Sequence, residues 1–180
     1  MLSKKDTVLS VATNLFAEQG FENTSVAKIC EDANVSKGLV YHHFKTKDDI
    51  LRQIFSDATN RMIAISNSPE TEINPKQQIT ALIENICSQL KADKSYFQLN
   101  LNIMLQPSTR SILNDLIIIR SSHILEATKN IFRKINASQS DIMSYMFIAE
   151  IDGVALNYLT VFQDYPLDQI KNHLKSKYSN

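Results

Sequence analysis

The sequence predicts an all-α protein. Apolar residues recur at helical spacing along nearly its whole length, and no period-two strand alternation competes with them. Its 3 Gly and 4 Pro fall mostly where those stripes stop, so they read as punctuation between helices. A chain of 180 residues can bury a real core, as one large domain or two small ones.

Val8, Val11, Ala12, Leu15 and Phe16 form the first stripe, and Gly20 is suited to the left-handed position that closes a helix. Thr24–Ser25 offers cap residues for a second, short helix carrying Val26, Ile29, Cys30 and Ala33. A third begins at Ser36. "TKDD" at 46–49 is a capping-box pattern that opens a fourth, with Asp48 and Asp49 at the positive end of its dipole. Ile50, Leu51, Ile54, Phe55, Ala58, Met62 and Ile65 continue as one long stripe.

"SNSPETEINP" at 66–75 is polar and Pro-bearing, and divides the chain into domains of 1–65 and 66–180. Asn74–Pro75 begins a helix to about Lys91 with proline in its first turn. Asp93 caps the next, which ends before Pro107. Ser108 opens a long helix to about Ile135. "SQSD" at 138–141 is a second capping-box pattern, for a helix to about Gln163, and Pro166 starts the last, to about Lys177.

Composition excludes several functions. Nineteen basic and 19 acidic residues give no net charge, so only a local patch can select a charged partner. No apolar run approaches the roughly 20 residues of a membrane span. Asp6 interrupts any secretory segment near the start, so a cytoplasmic protein with no membrane partner is expected. Cys30 and Cys87 have no metal-ligand spacing and read as buried free thiols. His42 and His43 diverge by about 100° on a helix, whereas a two-histidine metal site uses positions four apart. No catalytic arrangement and no phosphate-binding glycine loop is visible. Neither a cofactor nor enzymatic activity is expected.

One segment stands apart. From Ser36 to Lys47 there is no acid, but three Lys, two His, Tyr41 and Gly38. It follows two short helical stripes joined by "ANV". Cys30 is small enough for a close helix crossing, and Asn34 tolerates positive φ. Ile29, Ala33, Val35, Val40 and Phe44 fall on the inward side. That is the arithmetic of a helix-turn-helix, although an ordinary helical hairpin satisfies it too.

Residues 8–55, and above all "LFAEQGFENTSVAKICEDANVSKGLVYHHFKTKDDIL", resemble the DNA-binding domain of the tetracycline-repressor (TetR) family of bacterial transcription factors. Phe16, Gly20–Phe21, Thr24–Ser25, Val26, Ile29, Ala33, Val35–Gly38, Tyr41, His43–Phe44, Lys47 and Leu51 all keep its register. Cys30 and Asn34 stand where the family often has Ala and Gly. The resemblance implies a three-helix helix-turn-helix DNA-binding domain, joined to a C-terminal helical ligand-binding and dimerisation domain.

It also implies DNA contacts at Ser25, Lys28, Ser36, Lys37, Gly38, Leu39, Tyr41, His42, His43 and Lys47. Lys37 reaches a phosphate or a guanine edge, Leu39 a thymine methyl, and Lys47 a flanking phosphate. Gly38 lets the backbone approach closely. The implied partners are a double-stranded operator, a second copy of the chain and a small-molecule effector. Apolar Phe97, Leu101, Met104 and Ile112 are candidates for the effector pocket.

The helix at 142–162 is apolar nearly all round, which predicts burial on more than one side. Tyr145, Ala149, Asp152, Gly153 and Leu156 are its candidates for a dimer interface. Close backbone approach would explain Gly153, and Glu150 and Asp152 are candidate buried acids. Two competing functions remain: an enzyme on a helical bundle, and an adaptor whose first domain no longer binds DNA.

Overall fold

The computed structural model describes residues 3–66 and 74–179. Its helices are α1 (Lys4–Gln19), α2 (Val26–Asp32), α3 (Lys37–His43), α4 (Lys47–Ser66), α5 (Pro75–Ala92), α6 (Lys94–Leu105), α7 (Pro107–Ile135), α8 (Ser140–Leu156) and α9 (Leu167–Ser179). No strand occurs among the described residues. Most of the joint expected at 66–75 lies outside them.

Several helix boundaries follow from local hydrogen bonding. Ser25 Oγ accepts from Lys28 N and Ser36 Oγ from Leu39 N, each capping its helix. Thr46 and Asp49 close a reciprocal capping box, at 2.9 and 3.1 Å. Ser3 and Asp6 form another at the start of α1. Asn74 caps α5 with Pro75 in the first turn.

Asp93 lies directly before α6, as expected, and its backbone N–H also closes α5 by donating to Gln89 O. Other boundaries depart from expectation. The "SQSD" pattern does not cap α8. A 3₁₀ turn at Ala137–Gln139 precedes that helix, and Ser138 bonds Asn136 instead. At the other end, α8 loosens into a π-helical turn, Asn157–Val161, short of Gln163. There Asn157 Nδ2 donates to Gly153 O at 2.7 Å. Side chains of Ser/Thr/Asn type that bond back to the preceding turn compete with regular helical pairing.

The chain forms two compact units: Met1–Met62 with Ser95–Ile118, and Ile63–Lys94 with Ile119–Asn180. This partition differs from a division at residue 66. The physical reason is that α6 and the first part of α7 place Leu99, Ile103 and Leu113 in the same core as Phe16, Ile29, Val40, Leu51 and Phe55. Each such side chain contributes about 1.5–3 kcal/mol on burial. Polar ties reinforce the packing. Arg52 grips Asp115 with two bonds of 2.8 and 2.7 Å and donates to Ile112 O at 2.6 Å. Asn102 donates to Ala17 O at 3.1 Å.

In the second unit α5 packs against α9. Ile79, Ile83, Leu90, Leu167 and Leu174 are buried. Glu84 accepts from Lys171 and Lys175, and Lys91 bonds Asp168. Phe132, Phe147 and Tyr178 form an aromatic cluster in which Phe147 meets both other rings edge-to-face. Cys30 and Cys87 are buried free thiols.

Candidate nucleic-acid interface

The turn between α2 and α3 depends on one backbone conformation. Asn34 has φ of 50°, the one positive value at a non-glycine among the described residues. Asparagine enters that region more readily than other side chains. Ile29, Ala33, Val40 and Phe44 are then buried, and Val35 packs against the same core. Cys30, also buried, leaves room for the crossing. Leu39 is half-buried.

This packing sends a different set outward. Lys37, Gly38, Tyr41, His42, His43 and Lys45 are all exposed, Tyr41 by 53%. Among the described residues Lys37 and Lys45 have no hydrogen-bond or ion-pair partner, so their charges are free for another molecule. Lys45 was not among the contacts expected from sequence; its exposure depends on where α3 ends. The His42 and His43 rings meet edge-on, 5.1 Å apart. No His/Cys/Asp/Glu group able to hold a metal occurs among the described residues.

Gly38 is informative because the chain itself does not require it. A Cβ there would meet only Ser36 Oγ, at 3.9 Å, an ordinary contact. Glycine inside a helix costs about 1 kcal/mol against alanine. Ser25 and Ser36 spend acceptor capacity on caps but keep hydroxyl hydrogens to donate.

Two expected contacts are engaged within the chain. Lys28 pairs with Asp32 at 2.8 Å and lies 3.6 Å from Glu31. The Asp32 hydrogen bond, then the two acidic charges, push its ammonium above the usual lysine range. Lys47 donates to Phe21 O at 2.7 Å and Thr24 O at 3.0 Å, approaches Glu22 O at 3.4 Å, and lies 4.2 Å from the centre of the Phe21 ring. That ammonium is occupied rather than extended toward solvent.

A polar cavity of about 300 Å³ is lined by His43, Phe44, Asp49, Arg52, Gln53, Ser56 and Leu116. The expected effector residues are not among its walls. Phe97, Leu101 and Ile112 are half-buried, Ile112 against the first unit's core, and Met104 is 43% exposed.

Within the single chain α8 is buried along one side. Ser144, Phe147 and Val154 are buried, but Ile142, Tyr145, Met146 and Leu156 are 62, 57, 56 and 40% exposed. Ala149 and Asp152 are exposed on the same helix. Nothing lies within 4 Å of a Cβ added at Gly153, so close approach within the chain does not explain that glycine. Glu150 is bonded by Lys177 and Tyr178, so it is not an isolated buried acid. Asp152 is exposed as a residue, yet the protein around its carboxyl desolvates it and pushes its pKa upward.

Two short helices joined by a left-handed turn, the second with an exposed cationic side, have the layout of a helix-turn-helix domain. Residues 8–54 match the family model described as "Bacterial regulatory proteins, tetR family". The match covers about a quarter of the chain, so the likeness to this family of transcriptional regulators is one of the N-terminal domain. The chain is 28% identical over 81 residues to the HTH-type transcriptional repressor KstR2 of Mycolicibacterium smegmatis, covering 44% of this chain and 40% of that relative. It is 27% identical over 169 residues to the uncharacterized HTH-type transcriptional regulator YuxN of Bacillus subtilis, covering 88% and 55%. These matches span less than two thirds of either relative. Its fold is similar to that of the transcriptional regulator FadR from Bacillus subtilis in complex with stearoyl-CoA, with a TM-score of 0.80, 20% identity and 97% of each chain covered.

Proposed function

We propose that the chain is a ligand-responsive repressor that binds a near-palindromic operator as a homodimer. The exposed, unpaired cationic surface of α3 carries the reading. Lys37, Tyr41, His42 and His43 face outward beside a glycine that the fold does not need. Ser25, Ser36, Lys37 and Gly38 position the backbone on phosphate. Leu39, Tyr41 and the histidines meet base edges, and Lys28 supplies a phosphate contact once released from Asp32.

The exposed apolar face of α8 supports dimerisation. Ile142, Tyr145, Met146, Ala149 and Leu156 would be covered by the same face of a second copy, with Asp152 and Gly153 beside them. A dimer is also what half-site geometry requires, since successive major grooves lie about 34 Å apart. An effector that binds better to the DNA-incompetent dimer would shift the population away from the operator. The helix α4 is the proposed lever, because it begins in one unit and ends in the other. Phe97, Leu101, Met104 and Ile112 remain its candidate contacts. Stearoyl-CoA, present in the FadR complex, is a rational first compound to test.

The test is a gel shift on duplex DNA from upstream of the protein's own reading frame, repeated across salt. Affinity should fall linearly in log–log form, by about 0.9 per neutralised phosphate. Absence of binding even at low ionic strength would refute DNA binding and favour the adaptor reading.

A further inference from the structure

The Lys47 ammonium sits in a nest of carbonyls contributed by residues 23 to 26 positions earlier in the chain. Phe21 and Thr24 supply the two close acceptors, Glu22 the third, and the Phe21 ring covers the charge at 4.2 Å. These residues form the connection from α1 to α2. The connection is fixed in other ways that make it a defined object. Gly20 has φ of 83°, and Thr24 Oγ1 donates to Gly20 O at 2.8 Å. Phe21 and Thr24 are buried. The next residue, Ser25, caps α2. Lys47 itself is the first residue of α4, whose start is anchored by the Thr46–Asp49 box.

An ammonium has three hydrogens and no acceptor. Three carbonyl oxygens within 3.4 Å account for all of them. To neutralise a phosphate, Lys47 would have to release the carbonyls that tie it to the α1–α2 connection. Charge-assisted hydrogen bonds of this kind are the strong ones.

We propose that Lys47 is a positioning residue: it clamps the α1–α2 connection to the start of α4, and so sets where the Ser25-capped end of α2 lies, without itself contacting phosphate. This rests on the DNA-binding reading above. It gives α4 a direct hold on the helix-turn-helix through one side chain. Motion of the first turn of α4 is then transmitted to α2 at Ser25.

Full-length parent, Lys47→Met, Lys47→Arg and Lys37→Ala are titrated with the same duplex from 50 to 300 mM salt, roughly spanning the range in which counterion release dominates. Methionine keeps the stem over Phe21 but offers no donor. Arginine keeps the charge but presents a planar fork in place of three convergent hydrogens. The clamp predicts that Lys47→Met loses about tenfold in affinity at every salt, with a slope parallel to the parent's. Lys37→Ala should flatten the slope by about 0.9. Lys47→Arg should also bind more weakly than the parent. Amide exchange at 22–28 in the free protein should quicken in both Lys47 variants, a readout that does not depend on DNA. A Lys47→Met slope flattened as much as that of Lys37→Ala, or parental binding by Lys47→Arg with unchanged exchange, would overturn the proposal. Failure of the parent to bind duplex would instead overturn the DNA-binding reading and leave the exchange measurement to decide the clamp.

Discussion

Helices α3 and α8 both expose one face, but the two faces are made of different material. On α3 the buried side is Val40, with Phe44 at its end, and the outer side is Lys37, Tyr41, His42 and His43. On α8 the buried side is Phe147 and Val154, and the outer side is Ile142, Tyr145, Met146 and Leu156. A cationic and aromatic face is stable in water and gains by meeting a polyanion. An apolar face gains by leaving water altogether. The comparison extends to glycine. Gly38 and Gly153 each sit where an added Cβ would clash with nothing in the chain. Both helices thus carry a residue that lowers helix propensity without an internal reason, on faces suited to two different partners.

The comparison can be broken most forcefully at α8. Met146→Glu places a charge on a side chain already 56% exposed, so the single chain should fold normally. In a dimer it buries an unpaired charge twice over. Dimer dissociation should rise by on the order of a hundredfold or more, read by analytical ultracentrifugation, and operator binding should fall with it. Unchanged sedimentation would remove α8 from the interface.

The glycines sharpen the comparison next. Gly38→Ala should raise thermal stability slightly, by up to about 1 kcal/mol of helix propensity. It should nevertheless weaken duplex binding, by roughly tenfold if one close backbone–phosphate contact is lost. Gly153→Ala should likewise stabilise the single chain while loosening the dimer and sparing α3. Parental duplex binding by Gly38→Ala would mean that no backbone approaches DNA at that point.

The smallest effect lies at neither face. Arg52, chiefly through its hydrogen bonds, lowers the Asp115 carboxyl to about 2 from an ordinary 3.8. A depressed acid adds stability that is present above its ordinary value and lost as pH falls through the lowered one. Stability should therefore decline between about pH 4 and 2, and Asp115→Asn should shallow that decline in denaturant melts. The pair is exposed, which keeps its contribution small and salt-sensitive. An identical acid profile in the variant would assign the decline to other carboxylates.

Local chemistry was the most legible part of the sequence. The caps at Ser25, Ser36 and Asn74, the Thr46–Asp49 box and the positive φ at Asn34 each depend on neighbours within four residues. The Ser3–Asp6 box at the start of α1 is equally local. Ser138–Asp141 had the right letters, but the preceding 3₁₀ turn took its place.

Long-range partners were not legible. The spacing of α6 marks an apolar stripe but not its destination in the first unit's core. Nothing near Lys47 announces carbonyls 23 to 26 residues away. A helix apolar all round gives no sign of which side the chain leaves open, so the outer face of α8 emerged only from packing. The candidate DNA face was legible because its alternation of buried and outward residues lies within α3 itself.

In the proposed assembly α3 meets DNA twice, through two copies joined at α8. Native mass spectrometry of the intact protein with a duplex from its own upstream region addresses both halves at once. A dominant species of two chains per duplex is expected, collapsing to free DNA with Met146→Glu. A stable complex of one chain per duplex, indifferent to that substitution, would contradict it.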